Sequence, residues 1–129
     1  MTRKHTFEDL KEIIETLRSE QGCPWDKSQT YESLIPFLQE ETGEVIEAIH
    51  HKDMENLCEE LGDLLFHVML FSQMAEEQGQ FKIDDVVDGI SAKMIRRHPN
   101  VFGDLKVNSP EEGMKLWKEI KRNEKRKKL

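Results

Sequence analysis

The sequence of 129 residues has few cysteines, no long apolar run and no excess of positive charge. Its two cysteines, Cys23 and Cys58, have neither the spacing of a metal site nor the density of a disulfide-rich secreted domain, so we expect reduced thiols. The N-terminus has no apolar signal segment, and no stretch approaches the length of a membrane span. These absences predict a cytoplasmic protein without a membrane partner.

Acidic residues outnumber basic ones, and the formal net charge is −7. A chain with this charge is poorly suited to the phosphate backbone of nucleic acids, so we expect no nucleic-acid partner. Hydrophobic residues make up 36% of the chain and charged residues 35%, which gives a thin core for this length. That balance is typical of a helical protein with wide solvated faces, or of a subunit that completes its core by association.

Apolar residues recur with the helical period throughout, while the alternation typical of strands is sustained nowhere. There is no internal repeat, linker or low-complexity segment. The pattern predicts an all-α fold, an antiparallel bundle of about five helices in one domain over residues 1–129. We expect the helices at about 7–20, 36–51, 54–78 and 84–98, with a fifth from Pro110 that frays into a basic tail at about 122–129.

Several turn and cap residues set these boundaries. Thr6 and Asp53 are expected N-caps, and Gly79 is expected to end the third helix. Because only Lys52 and Asp53 separate the second and third helices, these two should be antiparallel neighbours. Two apolar stripes are expected to face the core: Leu38, Thr42, Val45 and Ile49 on the second helix, and Leu57, Leu61, Leu64, Val68 and Phe71 on the third.

Two short acidic segments lie on these neighbouring helices: Glu40-Glu41-Thr42-Gly43-Glu44 and Glu60-Leu61-Gly62-Asp63. In each segment two carboxylates are three residues apart and share one helical face beside the apolar stripe. The two pairs are Glu41 with Glu44, and Glu60 with Asp63. If the helices pack through their stripes, the four carboxylates converge.

Converging carboxylates repel one another by roughly several kcal/mol at an effective dielectric constant of about 20. Protonation of some members or a bound cation must relieve that repulsion, unless the acids simply form a solvated helical face. Oxygen ligands of this kind suit Mg²⁺, which keeps several waters and leaves positions for substrate phosphates. The pattern therefore indicates a magnesium site for phosphoryl chemistry, with the solvated face as the alternative.

The acidic pattern Glu40-Glu41-x-x-Glu44, fifteen residues, then Glu60-x-x-Asp63, resembles that of the all-α nucleoside triphosphate pyrophosphohydrolases. Three further segments resemble the MazG family in particular: Gly22-Cys23-Pro24-Trp25-Asp26-Lys27, Glu60-Leu61-Gly62-Asp63-Leu64-Leu65 and Arg96-Arg97-His98-Pro99-Asn100-Val101-Phe102-Gly103-Asp104. Together with Trp117 and Lys121 they cover nearly the whole chain in order. The resemblance is to one stand-alone MazG domain rather than to the tandem form.

This resemblance implies Mg²⁺-dependent hydrolysis of nucleoside triphosphates to monophosphate and pyrophosphate, with Mn²⁺ as a substitute metal and a role in clearing nucleotide pools. It implies that the metal ligands are Glu41, Glu44, Glu60 and Asp63, and that the nucleotide is bound by Lys93, Arg97, Trp117 and Lys121. It also implies homodimers that share a helical bundle, with pairing of dimers into tetramers left open. Gly43 departs from the family, because many members carry an aromatic residue there.

Other side chains have two interpretations each. Trp25 either stacks on a nucleobase or caps the end of the bundle. His67 lies one turn beyond Asp63 and either hydrogen-bonds a metal ligand or fills the edge of the core. Either Glu40 or Glu47 is the candidate to orient or deprotonate the attacking water, and we favour Glu40 as a catalytic residue.

Two rival functions fit the same residues. A narrower pyrophosphatase acting on dCTP, dUTP or phosphoribosyl-ATP shares the acidic pattern but not the Cys-Pro-Trp-Asp and Arg-Arg-His-Pro segments. A non-enzymatic dimerisation or regulatory module would use the acidic patch to bind a basic partner. Release of pyrophosphate and stabilisation by Mg²⁺ with a nucleotide analogue distinguish the enzyme from the module.

Overall fold

The computed structural model describes residues 3–128, and the chain is helical within that range, with no strand. Its helices are α1 Phe7–Leu17, α2 Pro24–Ser28, α3 Tyr31–His50, α4 Met54–Glu77, α5 Ile83–Arg97, α6 Pro99–Phe102 and α7 Pro110–Lys128. The all-α prediction is confirmed, and the five expected helices correspond to α1, α3, α4, α5 and α7. The chain forms two compact units, one through Ile83 and one from Asp84, and that these make one domain stays a prediction.

Helix α1 begins as expected and ends earlier. Thr6 and Asp9 form a capping box, in which each side chain accepts a hydrogen bond from the backbone of the other. The helix was expected to continue to residue 20, but it ends at Leu17 because the chain turns back there. The Cys23 amide donates to the Leu17 carbonyl at 2.9 Å. A Cβ on Gly22 would lie 2.2 Å from that same oxygen, so this return requires glycine.

The second long helix, α3, starts five residues before the predicted Pro36. Thr30 and Ser33 form a capping box that fixes the start of α3 at Tyr31. Pro36 lies inside the helix on an exposed face, where the Glu32 carbonyl that loses its helical donor can bond to water.

Helices α3 and α4 are joined by the short connection that the sequence predicts. Asp53 caps α4 by accepting from the Asn56 amide at 3.1 Å. The Lys52 and Asp53 amides donate to the Ile49 and Ala48 carbonyls, which is the Schellman arrangement at the end of α3. Lys52 occupies the left-handed position of that motif with φ of 54°, and Gly79 occupies the equivalent position after α4 with φ of 68°.

A Lys52→Gly variant should be more stable than the wild-type protein by about 0.5–1 kcal/mol. A left-handed conformation costs a residue with a Cβ about 1–2 kcal/mol, of which glycine's larger unfolded-state entropy returns part. The free energy of unfolding in urea measures the change. Gly79→Ala is the matched control and should lose about 1 kcal/mol, whereas a Lys52→Gly variant no more stable than wild type would contradict the argument.

The core of the first unit lies where α1, α3 and α4 meet. Its buried members are Ile14, Leu34, Met69, Leu70, Met74 and Ile83. Tyr31 and Phe71 stack at the edge of this core with ring centroids 6.1 Å apart. The core therefore holds the C-terminal half of α4 against the start of α3, and the acidic half of α4 lies beyond it.

The predicted stripes are buried only in part. Ile49 is 55% exposed and Leu61 is 48% exposed, whereas Leu38, Val45, Leu57 and Leu64 are half-buried and Phe71 packs against the core. Exposed apolar side chains that share a face are Ile35, Ile46 and Ile49 on α3, and Leu61, Leu65 and Val68 on α4. The set on α4 forms an apolar stripe at the helical period, whereas polar Gln39 and Thr42 lie between Ile35 and Ile46 on α3.

The second unit contains most of α5, together with α6 and α7. No helix was expected between residue 98 and Pro110, but Pro99–Phe102 form the single turn of α6 before the loop begins. An open cleft of about 440 Å³ lies in this unit, lined by residues such as Met94, His98 and Trp117. The His98 Nδ1 lies 2.6 Å from the Met94 carbonyl oxygen and fixes the ring there.

Helix α7 begins at the predicted residue and extends further than predicted. The Glu112 amide donates to the Ser109 hydroxyl at 3.1 Å, while the Glu112 carboxylate accepts from the Asn108 amide at 2.7 Å. Residues 125–127 are exposed, as expected of a basic tail, but they remain helical to Lys128 because no proline or glycine interrupts them. Leu129, the last residue of the expected tail, lies outside the described residues. No described helix combines the length and apolarity that a membrane span needs.

Candidate active site

The four carboxylates that the sequence singles out lie together. One oxygen from each of Glu41, Glu44, Glu60 and Asp63 can be chosen so that all lie within 4.8 Å of one another. The antiparallel α3–α4 pair produces this because each helix contributes two acids three residues apart on one face. The convergence inferred from the sequence is therefore present in the fold.

The inner pair of this cluster is shielded from water. Glu60 is only 9% exposed, and its Oε2 atom has no hydrogen-bond partner among residues 3–128. The Oε2 atom of Glu41 is buried and unpartnered in the same way. The charges that act most strongly on Glu41, Glu44 and Glu60 all belong to other acids. The cluster thus gathers negative charge around two buried carboxylate oxygens.

The titration of these acids reflects that crowding. Burial raises the pKa of Glu41, and the nearby charges of Asp63 and Glu44 raise it further. Hydrogen bonding to Glu60 raises the pKa of Glu44, and burial adds to the effect. For Glu60 the hydrogen bond with Glu44 lowers the pKa, but burial and Glu41 outweigh it, so the net direction is upward. Three acids therefore resist ionisation in the folded chain.

The donor set fits a hard divalent cation. Mg²⁺ takes oxygen ligands at about 2.0–2.1 Å, so ligand oxygens on opposite sides of it are separated by about 4 Å. The 4.8 Å limit on the separations between the chosen oxygens is compatible with that size, given small side-chain adjustments. The unpartnered oxygens of Glu41 and Glu60 would gain the positive partner that buried carboxylates require.

Glu40 lies outside this group of four. Its side chain is exposed on α3, and its charge contributes to the raised pKa of Glu41 and of Glu44. Glu47, the other candidate base, is also exposed. Exposure therefore does not distinguish Glu40 from Glu47 as the candidate base.

Trp25 lies on α2 and contacts an aromatic residue that the sequence analysis did not single out. Its ring meets that of Phe37 edge to face, with centroids 5.7 Å apart. Trp25 is 50% exposed, so it does not fill the core. Phe37 lies one helical turn before Glu41 on the same face of α3, which puts this aromatic pair next to the acidic cluster. Alone, an apolar residue on an exposed helix face gives no sequence signal of such a contact.

Arg18 holds the segment that carries Trp25. Its Nη1 donates to the Asp26 carbonyl at 2.6 Å, at the end of the single turn of α2. Its Nε and Nη2 donate to both carboxylate oxygens of Glu77, at 3.1 and 2.7 Å, at the end of α4. The guanidinium thus joins α1, α2 and α4, and the side chain is only 11% exposed.

His67 is another polar residue that is buried on α4. It is 8% exposed, and neither ring nitrogen has a hydrogen-bond partner within the described chain. Its ring lies edge to face with Phe66 and Phe71, at centroid distances of 5.8 and 6.4 Å. Burial lowers its pKa, against a smaller opposite effect of Asp63, so a neutral imidazole is favoured. These contacts match the interpretation of His67 as a residue at the edge of the core.

The basic residues expected to bind nucleotide lie in the second unit. The Arg97 Cζ lies 5.7 Å from the ring centroid of Trp117, and the Lys121 Nζ lies 4.6 Å from it. Both distances are within the range of cation–π contacts. Lys93 is half-buried on α5, one turn before Arg97 and on the same face. The structure therefore gathers Arg97, Trp117 and Lys121, with Lys93 adjacent on its helix.

One acidic residue joins this basic group without having been predicted. Glu124 accepts hydrogen bonds from Arg97 at 3.2 and 3.3 Å and from Arg96 at 3.3 Å. These two arginines, Arg97 foremost, lower the pKa of Glu124 to about 2. The contact spans 27 residues of sequence between two helices, so no local pattern could have revealed it.

Residues 29–102 match the family of the MazG nucleotide pyrophosphohydrolase domain. The match includes all four clustered acids and Arg97, and it covers parts of both units. The chain belongs to the MazG nucleotide pyrophosphohydrolase family. The resemblance drawn from the sequence motifs is confirmed at the level of the family.

Two curated relatives of this chain are named nucleoside triphosphate pyrophosphohydrolases. A protein of Thermotoga maritima named nucleoside triphosphate pyrophosphohydrolase/pyrophosphatase MazG is 51% identical over 122 residues, covering 95% of this chain and 46% of its own. A nucleoside triphosphate pyrophosphohydrolase of Escherichia coli K12 is 46% identical over 116 residues, covering 89% of this chain and 44% of its own. The chain thus spans less than half the length of each of these curated relatives.

A solved structure is similar over nearly its whole length. The crystal structure of a mazG-related protein from Thermotoga maritima aligns with a TM-score of 0.71 and 36% sequence identity. The alignment covers 89% of this chain and 98% of that chain. The fold described above is therefore similar to that of a known member of the family.

Proposed function

We propose that this protein hydrolyses nucleoside triphosphates to the monophosphate and pyrophosphate in a Mg²⁺-dependent reaction. The observation that carries the proposal is the convergence of four carboxylates on α3 and α4, two of them with buried and unpartnered oxygens. The names of the Thermotoga maritima and Escherichia coli relatives support the same activity. Clearing unwanted nucleotides from the pool is the physiological role that we propose with it.

Glu41, Glu44, Glu60 and Asp63 are the proposed metal ligands, with Mn²⁺ as an alternative ion. Mg²⁺ bound there would neutralise phosphate charge and lower the pKa of a coordinated water. Water attacks the α-phosphorus, the bond from that phosphorus to the bridging oxygen breaks, and pyrophosphate leaves. Glu40 is proposed to accept the proton of that water, since it is solvent-exposed and close enough to influence Glu41 and Glu44.

Lys93, Arg97 and Lys121 are the proposed ligands of the phosphates, with Trp117 as a nucleotide contact. Arginine offers a planar fork to a phosphate, and lysine offers a point charge. Trp25 and Phe37 are proposed to form an aromatic surface for the base. Their exposed edge-to-face arrangement beside the cluster gives a rigid apolar platform at small entropic cost.

We propose that a second copy of this chain packs against the exposed apolar side chains of α3 and α4. Six apolar side chains with helical spacing are left uncovered there, beside a core that is small for this length. Pairing two such hairpins would complete a bundle, and two dimers can associate further into a tetramer. Light scattering over a range of protein concentrations measures this association, and a monomer at high concentration would contradict it.

The activity is tested by incubating the protein with Mg²⁺ and each of the common ribo- and deoxyribonucleoside triphosphates, and assaying pyrophosphate and phosphate separately. We expect stoichiometric monophosphate and pyrophosphate from several substrates, and no release of single phosphate. Turnover of dCTP, dUTP or phosphoribosyl-ATP alone would favour the narrower enzyme. The non-enzymatic alternative predicts neither pyrophosphate nor a rise in melting temperature with Mg²⁺ and a nucleotide analogue.

A further inference from the structure

Glu124 is an acid placed inside a group of cations. Its carboxylate accepts hydrogen bonds from both Arg96 and Arg97, and Arg97 in turn lies over the ring of Trp117 that Lys121 also contacts. The group therefore contains three positive charges and one negative charge. The net charge still favours an anion, so the acid must be explained by something other than the neutralisation of the group.

The carboxylate contacts one edge of the Arg97 guanidinium. Nε donates to Glu124 at 3.3 Å and Nη2 donates at 3.2 Å. Nη1 donates to no other residue in the described part of the chain. The Cζ atom of the same group lies over the indole ring of Trp117, 5.7 Å from the ring centroid. Glu124 and Trp117 thus both contact the guanidinium, and its outer edge is left for a ligand.

We propose that Glu124 is a positioning residue, which holds Arg97 so that the outer edge of its guanidinium is ready to bind a phosphate. This inference rests on the proposed function, in which Arg97 binds the triphosphate. An arginine side chain held along one edge by a carboxylate and placed over an indole ring loses little rotational freedom when the anion arrives, so more of the interaction contributes to affinity.

The direction in which removal of the Glu124 charge changes the affinity for a polyanion distinguishes positioning from simple electrostatics. If Glu124 acted only through its charge, removing that charge would strengthen the binding of a polyanion to the group. If Glu124 positions Arg97, removing the carboxylate releases the guanidinium and weakens binding. A neutral variant therefore gives opposite results in the two cases.

The experiment measures the binding of inorganic tripolyphosphate by calorimetry in the presence of EDTA, so that the acidic cluster takes no part through a metal. We expect Kd to rise about tenfold in Glu124→Gln and at least as much in Glu124→Ala, because charge-assisted hydrogen bonds to Arg97 are lost. Glu119→Gln removes the same charge from an exposed site on α7 and should leave Kd unchanged or slightly lower. In the hydrolysis assay, KM for the triphosphate should rise by the same factor while kcat changes by less than about threefold.

Kd for Glu124→Gln equal to or below the wild-type value would overturn the inference, and so would a wild-type protein that binds no tripolyphosphate. Loss of the helical circular dichroism signal in both Glu124 variants would assign the residue a structural role and also overturn it. The proposed function is judged separately. If Glu124→Gln releases pyrophosphate with an unchanged KM, only the positioning role of Glu124 is contradicted. If tripolyphosphate binding depends on Glu124 but no pyrophosphate is released, only the proposed hydrolase function is contradicted.

Discussion

A Glu44→Gln variant should lose pyrophosphate release by more than about 100-fold and yet melt at a higher temperature than the wild-type protein in EDTA. The loss follows because a direct metal ligand disappears, and even the partners that orient such ligands are worth about 10–100-fold. The gain follows because the introduced side-chain amide can donate to Glu60, where the wild-type carboxylate must otherwise be protonated to do so. We expect the melting temperature to rise by about 2–5 °C.

Glu59→Gln is the matched control for this prediction. Glu59 is an exposed acid on α4 that is not a member of the cluster, so the variant removes the same charge without removing a ligand. It should retain activity and change the melting temperature little. Retained activity in Glu44→Gln, or a melting temperature below that of the wild type with metal absent, would refute the role assigned to the cluster.

Mg²⁺ should stabilise the wild-type protein, and more strongly at pH 8 than at pH 5. At a free concentration 100 times its Kd, a ligand that binds only the folded state adds about 2.7 kcal/mol, which is roughly 10 °C in melting temperature for a protein of this size. The pH dependence follows from the direction of the pKa shifts. Glu41, Glu44 and Glu60 have a raised pKa in the folded state, so the folded state binds more protons than the unfolded state above pH 4.5. Without metal, the contribution of these three acids to the free energy of unfolding therefore falls as the pH rises above 4.5.

Thermal melts from pH 5 to pH 8, with Mg²⁺ or with EDTA at matched ionic strength, measure both effects. The lowered pKa of His67 acts in the opposite direction, since its protonation below the ordinary value of 6.5 favours unfolding. Subtracting the Glu44→Gln curve removes that contribution, because His67 is common to both proteins. The acids with lowered pKa, Asp9 and Glu124 at about 2, lose their contribution only at lower pH. A metal effect that is independent of pH would contradict the prediction.

Local sequence patterns correctly predicted several of the helix starts and ends. The capping box at Thr6, the N-cap at Asp53 and the left-handed Gly79 each depend on hydrogen bonds between residues close in sequence, and all three are present. The four-carboxylate group was predictable for the same reason. Two acids three residues apart on each of two helices need only a short antiparallel connection to meet.

What sequence reasoning missed depends on contacts between distant residues. The periodicity of α3 and α4 placed apolar residues on one face of each helix, but it could not say that Ile49 and Leu61 would be exposed while Phe71 packs against the core. Pro36 was given too much weight as a helix start, because both the capping box at Thr30 and Ser33 and the buried Leu34 lie before it on the same helix. Phe37 and Glu124 acquire their contacts only from helices elsewhere in the chain.

Arg18 links the segment around Trp25 to the core helix α4. The single turn of α2 is too short to be stable by itself, yet its last carbonyls are bound by a guanidinium that also closes the end of α4 through Glu77. Moving α2 away would leave Nη1 of this guanidinium without its acceptor, while Nε and Nη2 would stay paired with Glu77. Because the Arg18 side chain is only 11% exposed, the unsatisfied donor has a cost that opposes the opening of α2 as an independent flap.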